Sequence, residues 1–164
     1  MRRGLSLVYG GAKVGLMGAV ADSVLKAGGE VIGVIPEGLV AKEVAHQGLS
    51  ELRVVSSMHE RKRQMSDLAD GFIALPGGMG TIEELTEILT WAQLGMHGKP
   101  AGILNVAGYF DHLLKFMDHA VSEQFLKEIH RKMMLVTARP EEMIDLFKAY
   151  QAPMVDKWVN RKSV

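Results

Sequence analysis

The sequence is short of several residue types, and each shortage argues against a class of function. None of the 164 residues is cysteine, which excludes disulfides, thiolate nucleophiles and cysteine-ligated zinc or iron–sulfur sites. Aromatic residues make up 6% of the chain, too few for a platform that stacks the bases of single-stranded nucleic acid. The 19 basic and 19 acidic side chains cancel to a formal net charge of zero. That balance argues against binding nucleic acid through a broad basic surface.

Long apolar runs are also missing. No stretch approaches the roughly 18 apolar residues that a membrane span needs. The N-terminus imitates a secretory signal, because Arg2 and Arg3 precede an apolar stretch and Ala19-Val20-Ala21 resembles a cleavage site. However, Lys13 and several glycines interrupt that stretch. We therefore expect a soluble, cytoplasmic protein with no membrane and no nucleic-acid partner.

The sequence alternates short apolar runs with amphipathic segments. Strands are predicted at Leu5–Tyr9, Val31–Ile35, Leu52–Val55, Phe72–Leu75, Ala101–Val106 and Met133–Val136. Near-continuous apolar strands between helices predict a parallel sheet with helices on both faces, a Rossmann-like, doubly wound α/β fold. We expect one domain over residues 1–151 and a tail over 152–164. In such folds, ligands bind beyond the carboxyl ends of the strands.

The first glycine-rich segment, GGAKVGLMG at residues 10–18, follows a predicted strand and opens a helix. It is not a Walker A loop, because Leu16 and Met17 stand where that motif needs lysine and a hydroxyl residue. The amides of Gly10 and Gly11 are candidates for contact with a phosphate. A tight turn with close packing of helix on strand explains the same residues equally well.

The second glycine-rich segment, LPGGMGTIEEL at residues 75–85, carries a stronger signal. Backbone amides from Gly77 to Thr81 precede or begin a helix, where the positive helix end favours an anion. Glu83 and Glu84 follow within one turn, although carboxylates there would repel a phosphate. One explanation is a capping box, with Thr81 as the N-cap and Glu84 at the third helical position. The spacing alone favours this explanation over a catalytic one.

Two cations in the segment SMHERKRQM, residues 57–65, lie on the apolar face of a predicted helix. Arg61 and Lys62 either extend along that face to reach water or point into the cleft at the strand ends and hold an anion. The pattern leaves both explanations open. No pair of histidines has the spacing of a helical metal site, and we expect neither a metal nor a cofactor.

Taken together, these segments resemble one family. MHERK followed by PGGMGTIEE is similar to the Lonely guy family, the cytokinin riboside 5′-monophosphate phosphoribohydrolases, which were long labelled lysine decarboxylase-like. VYGGAKVGLMG, EVIGVIP and TWAQLG follow the family order, and the resemblance runs from about Leu5 to Tyr150. It implies a Rossmann-like homodimer or larger homo-oligomer. The implied reaction hydrolyses an N6-substituted adenosine 5′-monophosphate to the free base and ribose 5-phosphate.

The resemblance also implies roles for individual residues. Arg61 and Glu84 are expected to be catalytic. The residues expected to bind substrate are Gly10, Gly11, Glu43, Lys62, Gly77, Gly78, Met79, Gly80, Thr81, Ile82, Glu83 and Thr90.

Family members usually begin with a further strand and helix, so the resemblance implies that the family's first strand and helix are not represented in this sequence. Three alternative functions remain. One is a nucleosidase with a broader choice of nucleotide 5′-monophosphates. The second is a protein that binds a nucleotide or cofactor without catalysis. The third is a pyridoxal phosphate enzyme, for which Lys13 or Lys62 would form the Schiff base.

Overall fold

Parallel strands alternate with helices along the chain in a computed structural model that describes residues 3–40, 42 and 45–153. The chain contacts divide into two units, with the boundary between Ala69 and Asp70. The first unit contains β1 (Leu7–Tyr9), α1 (Gly15–Lys26), β2 (Val31–Pro36), α2 (Glu37–Val40), β3 (Glu51–Val55) and α3 (Met58–Leu68). The second contains β4 (Phe72–Ala74), α4 (Met79–Gln93), β5 (Ala101–Leu104), a 3-10 turn (Val106–Gly108), α5 (Asp111–Ser122), α6 (Glu128–Arg131), β6 (Met134–Thr137) and α7 (Pro140–Ala149).

The first unit is built on a three-stranded parallel sheet with the order β1-β2-β3. Its central strand is apolar throughout because it is covered on both faces: Val31, Val34 and Ile35 have no exposed surface. Tyr9 and Ala21 pack with Val31 in a buried cluster that joins α1 to the sheet. This packing fixes the end of β1, where the first glycine-rich turn begins.

The second unit has its own three-stranded parallel sheet, with the order β4-β5-β6. The buried cluster of this unit contains Ala74, Leu85, Ile103, Phe110 and Met134. Since Leu85 belongs to α4 and Phe110 immediately precedes α5, the cluster anchors both helices on the sheet. It therefore determines where the second glycine-rich loop, between β4 and α4, is held.

The predicted α/β class with parallel, helix-flanked sheets is confirmed. The capping-box prediction is wrong, because α4 begins at Met79 with Gly78 as its N-cap, so that Thr81 already lies within the helix. Of the predicted tail, residues 154–164 lie outside the described part of the chain. Among the described residues, no helix is both long enough and apolar enough to span a membrane.

Candidate functional site

The carboxyl end of β1 meets the side chain of Arg61. Arg61 is 6% exposed, and its Nη2 atom donates a hydrogen bond to the Gly10 carbonyl oxygen at 3.2 Å. A methyl group on Gly10 would overlap Nη2, so the absence of a side chain admits the guanidinium. Of the two explanations for Arg61, the structure therefore supports the one in which it reaches a strand end. Lys62, the next residue, is half-buried.

Arg61 lies in the first turn of α3, and the hydrogen-bonded cap at the N-terminus of this helix holds Arg61 in position. The Ser57 hydroxyl accepts the Glu60 N–H at 3.2 Å, and the Glu60 carboxylate accepts both the N–H and the hydroxyl of Ser56, at 2.8 and 2.7 Å. These Ser56 hydrogen bonds lower the pKa of Glu60. The S-x-x-E cap thus occurs at Ser57–Glu60, one residue before Arg61.

The guanidinium is only partly paired by the described residues. Its Nη1 atom lies 3.7 Å from the Met58 sulfur, a weak acceptor, and its buried Nε has no hydrogen-bond partner in the described part of the chain. A buried charge with an unsatisfied N–H is costly unless another group accepts the bond. An anionic oxygen would be such an acceptor.

A polar cluster that sequence reasoning did not find lies in the same unit. His46 is 6% exposed; its Nδ1 accepts the Gly48 N–H at 3.1 Å, which leaves Nε2 to donate to Asp22 at 2.8 Å. The His46 backbone N–H donates to the Gly11 carbonyl at 2.9 Å. Burial, and then the Asp22 charge, raise the pKa of Tyr9 to about 12. The cluster holds the first glycine turn, but no motif connects its members in the sequence.

The second glycine-rich loop leads directly into α4. Gly78 is the N-cap in an extended conformation, and its carbonyl accepts the Ile82 N–H at 3.2 Å. The Thr81 side chain lies against Gly77, where any β-carbon would overlap its hydroxyl. The Gly77 carbonyl accepts a hydrogen bond from the Tyr109 hydroxyl at 3.0 Å. The free N–H groups of a first helical turn form a site suited to an anion.

The remaining predicted residues of the second unit follow along α4. Glu84 is half-buried, in the second turn of the helix, and Glu83 is exposed. Met79 is 80% exposed. Thr90 is exposed, and its hydroxyl donates to the Thr86 carbonyl at 2.7 Å.

The structure thus brings Gly10 together with Arg61 in the first unit and Gly77 together with Thr81 in the second. Glu43, predicted to bind substrate, lies outside the described residues. Sequence reasoning missed Tyr109, because its bond to Gly77 spans 32 positions of chain. A tyrosine that closely follows a buried strand was the only available signal.

Parallel sheets with a glycine-rich turn after β1 in the first unit and after β4 in the second define the class: an α/β protein with candidate functional segments at strand ends. A family model described as possible lysine decarboxylase matches residues 17–147. The chain belongs to this family. The relatives that it resembles in sequence are LOG proteins. The resemblance predicted from MHERK and PGGMGTIEE is therefore confirmed.

Three relatives illustrate the similarity. The chain is 50% identical, over 92% of its length, to the cytokinin riboside 5′-monophosphate phosphoribohydrolase LOG of Oryza sativa subsp. japonica, and spans 62% of that protein. It is 49% identical over 90% of its length to the probable enzyme LOGL3 of the same organism, spanning 70% of it. It is 44% identical over 98% of its length to LOG1 of Arabidopsis thaliana, named as the same enzyme, spanning 75% of it.

Proposed function

We propose that this chain is a phosphoribohydrolase that releases the base of an N6-substituted adenosine 5′-monophosphate. The observation that carries the proposal is its 44–50% identity, over nine-tenths or more of its length, to relatives named for that reaction. The reaction breaks the bond between ribose C1′ and the base nitrogen, and water supplies the new C1′–oxygen bond. One water proton ends on the departing base, and the other product is ribose 5-phosphate.

Glu84 is proposed as a catalytic carboxylate. Cleavage of a ribosyl bond develops positive oxocarbenium charge on the sugar, which a nearby carboxylate stabilises. The helix start at Met79 supports this role, because Glu84 is then too far along α4 to cap it. Its position in the second turn of the helix is therefore not explained by the capping box.

Arg61 is proposed as the second catalytic residue. Its buried guanidinium is oriented by Gly10, and its Nε is unpaired by the described residues. Both features suit a group that binds an oxygen of the ribose or of the phosphate.

The loop from Gly77 to Thr81 is proposed to bind the 5′-phosphate. Its support is the extended Gly78 N-cap at the start of a 15-residue helix, where outward-facing amides and the helix dipole favour an anion. Phosphate binding would supply remote binding energy and orient the ribose. Glu43, Lys62, Thr90, Ile82, Glu83, Met79, Gly10 and Gly11 are proposed to contribute further substrate contacts.

The proposal is tested by incubating the purified chain with isopentenyl-AMP and, separately, with AMP, and measuring the free base by chromatography. We expect the wild type to release base and Glu84→Gln to lose at least about a hundredfold in rate, the range in which one electrostatic catalytic group contributes. Glu123→Gln, which makes the same change at the exposed C-cap residue of α5, serves as the matched control.

The outcomes separate the alternatives. Equal rates on the two substrates would favour a broader nucleosidase. No base release from folded protein would favour a binding protein, and a visible chromophore would favour a pyridoxal phosphate enzyme. Full activity in Glu84→Gln would remove that residue from the mechanism.

We also propose that the protein works as a cytoplasmic homodimer or larger homo-oligomer. The support is the family resemblance and, for a reducing compartment, the absence of cysteine. A monomeric mass by light scattering would contradict the proposed homo-oligomer.

A further inference from the structure

Tyr109 contacts the second glycine-rich loop, which follows β4, although it comes after β5 in the chain. Its hydroxyl donates to the Gly77 carbonyl at 3.0 Å, while the residue as a whole is 56% exposed. The bond does not serve to bury Tyr109, since more than half of the surface of this residue stays exposed. The contact therefore acts on the loop more than on the core.

The backbone around Tyr109 is held in a special conformation. Ala107, two residues earlier, has φ +53° and ψ +25°, in the left-handed region that a residue with a β-carbon rarely adopts. Asn105 closes the turn: its side-chain oxygen accepts the Phe110 N–H at 2.8 Å, and its amide donates to Asp111 at 2.8 Å.

Phe110 supplies the anchor for this turn. It is 2% exposed in the buried cluster of the second unit, and its ring meets the Tyr109 ring edge to face at 5.0 Å between centroids. A left-handed residue, two side-chain hydrogen bonds and a core aromatic thus fix where the Tyr109 hydroxyl points.

The orientation of the Gly77 carbonyl determines the orientation of one N–H group of the loop. This carbonyl belongs to the peptide unit whose N–H is that of Gly78, the N-cap of α4. Because a peptide is planar, fixing the carbonyl also fixes the direction of that N–H. Glycine has no side chain to restrict this peptide, so without an external hydrogen bond it would sample several orientations.

We propose that Tyr109 is a positioning residue for the phosphate-binding loop: it locks the Gly77–Gly78 peptide so that the loop amides are ready for an anion. The inference rests on the proposed function for the identity of that anion, a 5′-phosphate. Pre-organisation of this kind strengthens binding because less order is lost when the ligand arrives.

The test compares Tyr109→Phe, which keeps the ring and removes the hydroxyl, with Tyr150→Phe, which removes a hydroxyl at the end of α7. Calorimetric titration with inorganic phosphate measures the loop directly, and steady-state hydrolysis of isopentenyl-AMP measures KM and kcat. We expect Tyr109→Phe to weaken phosphate binding and raise KM by about fivefold, the effect of one hydrogen bond. We expect kcat within about twofold of the wild type, and the control unchanged in both.

The outcomes distinguish this inference from the proposed function. Weakened phosphate binding in Tyr109→Phe supports it even if the wild type releases no base. Unchanged phosphate affinity and KM in Tyr109→Phe overturn it while the hydrolase proposal stands. Wild-type protein that binds no phosphate also overturns it. A fall in melting temperature with phosphate affinity and KM intact would assign Tyr109 a purely structural role.

Discussion

Gly10 determines whether Arg61 can reach the end of β1. We predict that Gly10→Ala displaces the guanidinium, because the added methyl group would occupy the position of Nη2. The lost hydrogen bond from a charged, buried donor should lower the free energy of unfolding by about 2 kcal/mol. Since Arg61 is proposed as a catalytic residue, base release should fall in Gly10→Ala and in Arg61→Ala alike. Urea denaturation and the hydrolysis assay measure the two effects.

Gly38→Ala is the matched control for this prediction. Gly38 lies in α2, and a β-carbon there would meet no atom within 4 Å. The control should keep both stability and activity. If Gly10→Ala were fully active while Arg61→Ala was inactive, Arg61 would act without its contact to Gly10.

Candidate site residues could be named from the sequence where a short motif contains them. MHERK indicated Arg61, and its burial at a strand end agrees with an anion-binding role. Tyr109 and His46 were not predictable, because each acts through a hydrogen bond to a residue far along the chain, at Gly77 and Asp22 respectively. Such contacts depend on the fold, and one sequence does not reveal them.

At the scale of elements, His97 joins the segment that follows α4 to the helix itself through hydrogen bonds. Its Nδ1 accepts the Lys99 N–H at 3.2 Å, so Nε2 carries the proton donated to the Ile88 carbonyl at 3.0 Å. The ring also packs on Phe72, 5.5 Å between centroids. A neutral imidazole is required by this arrangement, since protonated Nδ1 would face another donor. Burial first, and the Lys99 charge as a further cause, lower the pKa of His97 below its ordinary 6.5.

We predict that this lowered pKa makes stability rise with pH. Because the unfolded state binds the proton more readily, the contribution of His97 is complete above about pH 6.5 and is lost as the pH falls through the lower folded pKa. His97→Gln should therefore be most destabilising near pH 7.5 and less so near pH 5. Urea denaturation across this range measures the difference.

Replacement of the exposed His112 by glutamine controls for the loss of an imidazole as such. Equal destabilisation by His97→Gln at every pH would show that the neutral ring is not what His97 contributes.

The element order was predictable and the exact boundaries were not. Continuous apolar strands such as Val31–Pro36 are easily predicted, since few other structures bury nearly every residue. The start of α4 was misplaced because threonine is a better N-cap than glycine in general. Here the Thr81 side chain instead packs on Gly77, and the helix begins three residues earlier, with Gly78 as its N-cap. The four-residue α6 is too short to show a helical period.

At the scale of the whole molecule, the zero net charge bears on how an anionic substrate is attracted. With no net positive charge, the affinity for the proposed nucleotide substrate is expected to come from local features, for which the proposed groups are the α4 N-terminus and Arg61. Binding should therefore depend on these few groups and only weakly on long-range steering.

We predict that ribose 5-phosphate stabilises the folded chain and that ribose does not. At ten times its dissociation constant, a ligand that binds only the folded state adds about 1.4 kcal/mol to the free energy of unfolding. Thermal and urea denaturation measure this, with ribose and sodium chloride of equal ionic strength as controls. Because the effect requires binding and not turnover, it tests the phosphate site independently of hydrolysis.

Equal stabilisation by ribose would show that the sugar carries the affinity. No stabilisation by either compound would contradict a phosphate site on the segments that this chain shares with its relatives.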